Sequence, residues 1–276
     1  MNARKTIIVI GAIVLAWAVF SCLKWFTERA DEGMTFDRSL DEETIIPPDP
    51  LLERVTESGE LESVPTPPAV TELIAPKTWA GVFFVPQSPT GDWSKSEFQD
   101  GCEEASALMV HAWRTGTMYT KDEMREELFA VARYEEKQIG QGVDTNVADT
   151  AEMLLDGYFY ISDYRIAYDF TLDELKSALA EGLVVVPTNG RALKNPNFTL
   201  PGPQQHMLVV TGYDAAAKEF ITNDPGTRKG EGYRYPEGVL FDAIREYPTG
   251  KHLPITTERK AMIVVSSASN PASVTP

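Results

Sequence analysis

The order of apolar patterns along the chain is the feature that most restricts its fold. Between residues 101 and 182 apolar side chains recur mainly at helical spacing, whereas short strand-like runs dominate from residue 183 onward. A helical half followed by strands that pair with their sequence neighbours is typical of an α+β protein with a mostly antiparallel sheet. We therefore predict this fold class for the part of the chain that follows residue 75.

Capping signals give approximate bounds for the predicted elements. Thr120 with Glu123, and Thr171 with Glu174, form capping-box pairs of the kind that begins a helix. The predicted helices are 101–113, 120–138, 147–155 and 171–182, and the predicted strands are 161–168, 183–186, 206–213, 219–223 and 261–265.

The first 26 residues differ from the rest of the chain. The stretch 7–23 carries no charged side chain and follows a short basic start. As a helix this stretch is about 26 Å long, slightly less than the hydrocarbon core of a bilayer. We interpret residues 1–26 as a single-pass membrane anchor whose basic end lies on the cytoplasmic side, which places the rest of the chain outside the membrane. A cleaved signal segment, or a lipid anchor at Cys22, is the alternative.

Residues 27–75 have the composition of an acidic, proline-rich linker. They hold 13 acidic residues against three arginines, a net charge of −10 out of −16 for the whole chain. Such a segment buries too little apolar surface to offset its ordering entropy, so we predict that it is extended and solvated. We predict one folded domain at 76–267 and a disordered tail at 268–276. The sequence has no lysine- and arginine-rich cluster that would indicate a nucleic-acid surface.

Cys102 is the only cysteine of the predicted domain, and it begins a predicted helix. The unpaired backbone N–H groups and the dipole at a helix start favour a thiolate, which is the form that attacks carbonyl carbons. Glu103 and Glu104 follow directly, and two carboxylates beside a thiol are expected to raise its pKa. On position alone, a small buried structural cysteine is the alternative.

A nucleophilic cysteine needs a base, and the chain has only three histidines. His111 lies further along the helix of Cys102, about 13.5 Å away and on another face. His252 lies in a loop with no element to fix its ring. His206 follows a loop rich in proline and glycine and begins a strand, which holds the ring towards a crevice. We therefore predict that His206 is the base, and the alternative is a hydrogen-bonded structural histidine at a strand end.

Asp224 is the predicted partner of this histidine. It follows the next apolar run, and its separation from His206 leaves room for two strands and a turn. An antiparallel hairpin returns the chain to the end where it started, so that the Asp224 carboxylate can accept the imidazole Nδ1–H and fix the tautomer. The run Asn223-Asp224-Pro225-Gly226 is also strong turn chemistry, which alone would explain the aspartate.

Two glutamines compete for the role of oxyanion donor. Gln87 ends the apolar, strand-like stretch that begins at Val82, and its amide together with the Cys102 N–H could stabilise the charge of a tetrahedral intermediate. Gln99 is closer to Cys102 in sequence but has the surroundings of a loop residue. We predict Gln87 as the donor and keep Gln99 as its rival.

These motifs, taken in order, resemble those of papain-like cysteine peptidases. The order is an apolar stretch ending in Pro-Gln, then Gly-Cys-x-x-Ala-Ser-x-x-Met, then a histidine before Val-Val-x-Gly-Tyr, then Asn-Asp-Pro. The nearest group is the bacteriocin-processing leader peptidases and their stand-alone relatives, and the resemblance covers residues 82–265. It implies a papain-like fold, a peptide or protein substrate, and no metal or organic cofactor. It also implies roles for four residues: Cys102 as nucleophile, His206 as base, Asp224 as its orienting group and Gln87 as oxyanion donor.

The sequence departs from that family in two places. Gln87 lies further upstream of Cys102 than the corresponding glutamine of the leader peptidases, and Glu103 stands where a glycine often follows the nucleophile. We expect a membrane-tethered, extracytoplasmic cysteine peptidase. The alternatives are a non-catalytic module of the same fold that binds peptide or cell wall, and a related thiol amidase or acyltransferase.

Overall fold

The computed structural model describes residues 77–140 and 142–267. The predicted anchor at 1–26, the linker at 27–75 and the tail at 268–276 lie outside the described residues. Among the residues that are described, no helix is both long enough and apolar enough to cross a membrane.

Six helical elements are described, and local signals begin several of them. The capping boxes predicted at Thr120 and Thr171 are both present, with reciprocal hydrogen bonds to Glu123 and Glu174. The helices are α1 (Ser96–Gln99), α2 (Cys102–Thr115), α3 (Lys121–Ile139), α4 (Val147–Asp149, continued as a π-helical segment at Thr150–Tyr158), α5 (Leu172–Glu181) and α6 (Glu237–Ala243).

The described strands form one six-stranded sheet in which every neighbouring pair is antiparallel. In space the order is β1-β6-β2-β3-β4-β5, so the late strand β6 lies between β1 and β2. The strands are β1 (Tyr164–Tyr168), β2 (Gly182–Asn189), β3 (Gln205–Asp214), β4 (Glu219–Asn223), β5 (Tyr233–Pro236) and β6 (Ala261–Ser266). This architecture is α+β and is consistent with a papain-like fold.

Both faces of the sheet are buried, each in its own apolar core. On one face Leu183 and Val185 of β2 pack in a core that contains side chains of α2, α3 and α4. On the other face Val184 and Val186 pack in a core that contains side chains of α5 and α6. Because both faces are covered, β2 and β3 have buried residues along almost their whole length, as the apolar runs of the sequence indicate.

The structure differs from the predicted elements in a few places. The stretch 82–87 belongs to no strand, because its backbone makes isolated hydrogen bonds, such as Gln87 N to Pro225 O at 3.0 Å, instead of a ladder. Strand β1 begins at Tyr164 rather than residue 161. Helix α1 and strand β5 were not predicted, since each has only four residues and neither shows a full period of its pattern.

Candidate active site

Helix α2 places the Cys102 side chain inside the protein. Cys102 is the first residue of the helix, Gly101 is its N-cap, and the cysteine is 4% exposed. A Cβ at Gly101 would lie 2.4 Å from the carbonyl oxygen of Glu97, so this sharp entry to the helix needs glycine. The backbone N–H of Cys102 has no acceptor within the helix, as is usual for a first turn.

Strand β3 brings the predicted base to the same region. His206 lies at the start of β3 opposite Thr188 of β2, whose hydroxyl donates to the His206 carbonyl oxygen at 2.9 Å. The next residue, Met207, donates its backbone N–H to Cys102 Sγ at 3.3 Å. One strand therefore carries the histidine and also contacts the sulfur.

Asp224 lies directly behind the His206 ring. The hairpin of β3 and β4 brings His206 Nε2 to 2.8 Å from Asp224 Oδ1, and both side chains are almost fully buried. The predicted contact from the Nδ1–H is wrong, because Nε2 occupies this position. The strand fixes the ring so that Nε2 points to the carboxylate, and Nδ1 has no hydrogen-bond partner among the described residues.

Further donors stabilise the buried carboxylate. Asp224 Oδ2 accepts from the Tyr235 hydroxyl at 2.6 Å and from Asn195 Nδ2 at 3.2 Å, and Oδ1 also accepts from the Gly226 N–H at 3.0 Å. Burial opposes ionisation of Asp224, but the contacts with His206, Tyr235 and Gly226 outweigh it and hold its pKa below the ordinary value. An ionised Asp224 accepts a hydrogen bond from a proton-bearing Nε2, which leaves Nδ1 as the basic atom of a neutral ring.

Sequence reasoning did not find Asn195 or Tyr235. Asn195 precedes Asp224 by 29 residues and Tyr235 by 40, and only the fold brings both side chains to the carboxylate. No local signal marks either residue.

Gln87 lies in the cleft but does not offer its amide protons to it. Its Nε2 donates to the carbonyl oxygens of Phe98 at 2.9 Å and Gln99 at 3.1 Å, while its buried Oε1 has no partner among the described residues. The rival side chain, Gln99, donates to Trp93 O at 2.7 Å. Both glutamine amides are therefore engaged with backbone carbonyls in this structure.

The Cys102 thiol has an acidic neighbour. Its Sγ lies 3.0 Å from Glu103 Oε2, to which it donates, and no hydrogen bond joins it to His206 within the described part of the chain. Burial, followed by the charge of Glu103, raises the pKa of the Cys102 thiol well above its ordinary value. Glu103 raises the pKa of the thiol, as the sequence predicts, whereas Glu104 is not among the groups that raise it.

The second glutamate points elsewhere. Glu104 interacts with the Glu135 side chain of α3, and burial with the nearby charge of Glu135 raises its pKa. Glu104 therefore joins helix α2 to helix α3 and does not contact the Cys102 sulfur.

The candidate catalytic side chains lie at a cleft of about 900 Å³. Gln87, Cys102 and His206 line it, together with residues of the loops 196–205 and 226–229. The Phe198 ring stands edge-on to the His206 ring, with their centroids 5.3 Å apart. A volume of this size accommodates several residues of an extended peptide.

The two other histidines have different surroundings. The His111 ring stacks on Phe159 and lies 2.9 Å from the Tyr119 hydroxyl, which is a structural position on α2. His252 is exposed at the rim of the cleft, 3.7 Å from Asp100 and 3.5 Å from Asp144. Across residues 77–140 and 142–267, no group of three or more His, Cys, Asp or Glu side chains is arranged to hold a metal ion.

Fold and cleft together define a class of protein: an α+β domain in which a cysteine at a helix start and a buried histidine–aspartate pair meet at one cleft. The model of the Peptidase_C39 like family matches residues 81–247, which is more than half of the chain. The chain belongs to that family, and the match supports a cysteine peptidase domain that acts on a peptide or protein. A comparison with curated protein sequences gives no match.

Proposed function

We propose that the protein hydrolyses peptide bonds with Cys102 as nucleophile, His206 as base and Asp224 as the group that orients the base. The observation that carries the proposal is the buried His206–Asp224 pair at the same cleft as Cys102, in a chain of a peptidase family. With Asp224 ionised and bonded to Nε2, His206 is held with Nδ1 free to accept a proton.

The reaction would proceed in two halves. The thiol proton moves to Nδ1 of His206 as Cys102 Sγ attacks the substrate carbonyl carbon, and the imidazolium then gives its proton to the departing amine. The resulting thioester is cleaved by water, which His206 deprotonates, and the acid product leaves as the thiol is restored. The backbone N–H of Cys102 is one donor for the negative oxygen of each tetrahedral intermediate.

A comparison of two cysteine variants tests this function. The full chain, its Cys102→Ser variant and its Cys22→Ser variant are incubated under reducing conditions with a diverse peptide library, and the products are identified by mass spectrometry. Cleavage by the wild type and by Cys22→Ser, but not by Cys102→Ser, is the expected result. Equal cleavage by Cys102→Ser would assign the activity to another group, and a blank profile for all three would contradict the proposal.

One observation favours a second candidate, a non-catalytic module that binds peptides in the same cleft. The Cys102 thiol donates to Glu103 instead of His206, and burial with the charge of Glu103 raises its pKa, which disfavours a thiolate in the resting site. Peptide binding without any cleavage in the library experiment would favour this candidate.

We also propose that residues 1–26 tether the domain to a membrane, with the domain on the extracytoplasmic side. The support is the uncharged stretch at 7–23 behind a basic start. Alkaline carbonate extraction of membranes tests the tether, because a peripheral protein is released and an inserted one is retained. Protease treatment of intact cells then tests the side, since only an external domain is digested.

A further inference from the structure

The carboxyl group of Glu103 is fixed between the sulfur and a tyrosine. Glu103 Oε2 accepts from the Cys102 thiol at 3.0 Å, and Oε1 accepts from the Tyr247 hydroxyl at 2.6 Å. The three side chains are buried, and Glu103 itself is 1% exposed. Since both oxygens have a partner and the carboxyl is shielded from solvent, it is held against the sulfur.

Acidic charges raise the pKa of this carboxyl. They come from Asp144 and from Glu135 of α3, with Glu104 as its neighbour on α2. Burial and the charge of Asp144 therefore raise the pKa of Glu103 to about 8, despite the hydrogen bonds from Cys102 and Tyr247. Near neutral pH this carboxyl is mostly uncharged, and a small rise in pH ionises it.

We propose that Glu103 is a positioning residue for the nucleophile. In the resting site its carboxyl accepts the Cys102 S–H and holds the thiol away from His206. Once the thiol proton has passed to His206, the protonated carboxyl donates a hydrogen bond to the sulfur. This inference rests on the proposed function and adds the group that controls when the nucleophile is available. Sequence motifs place a glutamate here, but only the fold places Tyr247 against it, 144 residues away.

The two states of Glu103 act on the sulfur in opposite ways. An uncharged carboxyl can donate its O–H to a thiolate, which stabilises the thiolate–imidazolium pair. An ionised carboxyl accepts the S–H and repels a thiolate at 3.0 Å, which stabilises the neutral thiol. We therefore expect the site to lose activity as the pH rises through the range in which Glu103 ionises.

Glu103→Gln separates these states, because glutamine has the shape of a protonated glutamate and cannot ionise. The probe is iodoacetamide alkylation of Cys102 in the full chain carrying Cys22→Ser, followed from about pH 5 to about pH 10. We expect Glu103→Gln to be alkylated about tenfold faster than the parent chain at about pH 9, because loss of the carboxylate charge lowers the pKa of the thiol. Glu104→Gln is the matched control: it removes a buried neighbouring carboxyl that does not contact the sulfur, so we expect it to shift the alkylation profile much less than Glu103→Gln does.

Tyr247→Phe provides a second, independent variant. The Tyr247 hydroxyl favours the ionised form of Glu103, so its loss keeps Glu103 uncharged to higher pH and moves the thiol titration of Cys102 to lower pH, in a chain that keeps its glutamate. A merely structural role for Glu103 would change the unfolding temperature without moving either pH profile. Profiles of Glu103→Gln and Tyr247→Phe that superimpose on that of the parent chain, or a Glu104→Gln profile that shifts equally, would overturn the proposal.

Alkylation also separates this proposal from the peptidase assignment. If the Glu103→Gln profile shifts while the wild type cleaves no peptide, the Glu103–Cys102 coupling holds and the peptidase function fails. If the wild type cleaves peptides and the profile does not shift, the function holds and the role of Glu103 fails.

Discussion

Asp224 combines full burial with a negative charge, and four hydrogen-bond donors make this possible. We expect Asp224→Asn to lower kcat by about 10³- to 10⁴-fold, because an amide no longer selects the tautomer with a proton on Nε2. Tyr235→Phe removes one donor and keeps the charge. It is expected to cost about 1.5–3 kcal/mol of stability, with a much smaller loss in kcat.

Steady-state kinetics and urea unfolding of the two variants check this prediction. Equal losses of kcat in Asp224→Asn and Tyr235→Phe would show that the aspartate acts only through packing.

Gln87 and Gln99 offer a direct comparison of two amides near the cleft. If Gln87 serves as oxyanion donor, its amide must leave the carbonyls of Phe98 and Gln99 when substrate binds. We then expect Gln87→Ala to reduce kcat by about 10²- to 10³-fold with little change in KM, whereas Gln99→Ala leaves kcat near the wild-type value. Kinetic constants on one peptide from the library check this. A larger loss in Gln99→Ala would give the role to the rival residue.

At the scale of elements, the contact between α2 and α3 contains two buried carboxyls. Burial raises the pKa of Glu104 and of Glu135, and the charge of Glu135 raises that of Glu104 further. The folded state therefore retains protons that the unfolded chain releases near pH 4.5. The contribution of this pair to stability is complete below that pH and is lost as the pH rises through the raised pKa values.

We accordingly expect the free energy of unfolding to be lower at about pH 8 than at about pH 5 by roughly 1–3 kcal/mol from this pair. The double variant Glu104→Gln/Glu135→Gln removes both titrations and flattens this part of the profile, while Glu136→Gln, on the exposed side of α3, leaves it unchanged. Urea unfolding at a series of pH values measures the effect. A wild-type profile that is level across this range would disprove it.

The starts of two helices could be predicted from local sequence signals. The capping pairs Thr120–Glu123 and Thr171–Glu174 set helix starts from within four residues of sequence, so α3 and α5 begin within a residue of their predicted starts. His206 and Asp224 lie close together because one hairpin, β3–β4, connects them, and the sequence pattern predicts that hairpin. Which ring nitrogen faces the aspartate depends on the twist and side-chain packing of the sheet, and no local pattern encodes either.

Contacts between residues far apart in sequence leave no local pattern, and this explains why the role of Tyr247 in the site was not predicted. Tyr247 and Glu103 are 144 residues apart, and the sequence around Tyr247 shows only a loop. The stretch 82–87 has the apolar pattern of a strand, but whether such a segment joins a ladder depends on a partner strand elsewhere in the chain. Whether a partner strand lies beside the stretch 82–87 is decided by the fold as a whole and cannot be predicted from the local pattern.

At the scale of the whole described domain, the segment 77–87 is held at both ends. Trp79 donates its backbone N–H to Thr211 O at 2.8 Å and its indole N–H to Leu179 O at 2.9 Å, and its ring stands edge-on to Trp113. At the other end Gln87 donates its backbone N–H to Pro225 O at 3.0 Å. The segment therefore ties α2 and α5 to the turn that follows Asp224.

Trp79→Ala is expected to destabilise the domain by about 3–5 kcal/mol, because it removes a buried ring and leaves the Leu179 carbonyl oxygen without its donor. Trp93→Ala is the control, since that ring is 41% exposed and its loss leaves no comparable cavity. Thermal and urea unfolding of both variants check this. Equal midpoints for the two would mean that the segment contributes little to the fold.

The position of β6 has a consequence for synthesis of the protein. Residues 261–266 are made after all the other described strands, yet they pair with β1 on one side and with β2 on the other. Until they leave the ribosome, β1 lacks its neighbour in the sheet, and the core between the sheet and α2–α4 lacks Ile263 and Val265. A nascent chain therefore carries its cysteine, histidine and aspartate before β6 completes the sheet and the core on which α2 packs. We therefore expect the complete domain to fold only after residues 261–266 have been synthesised.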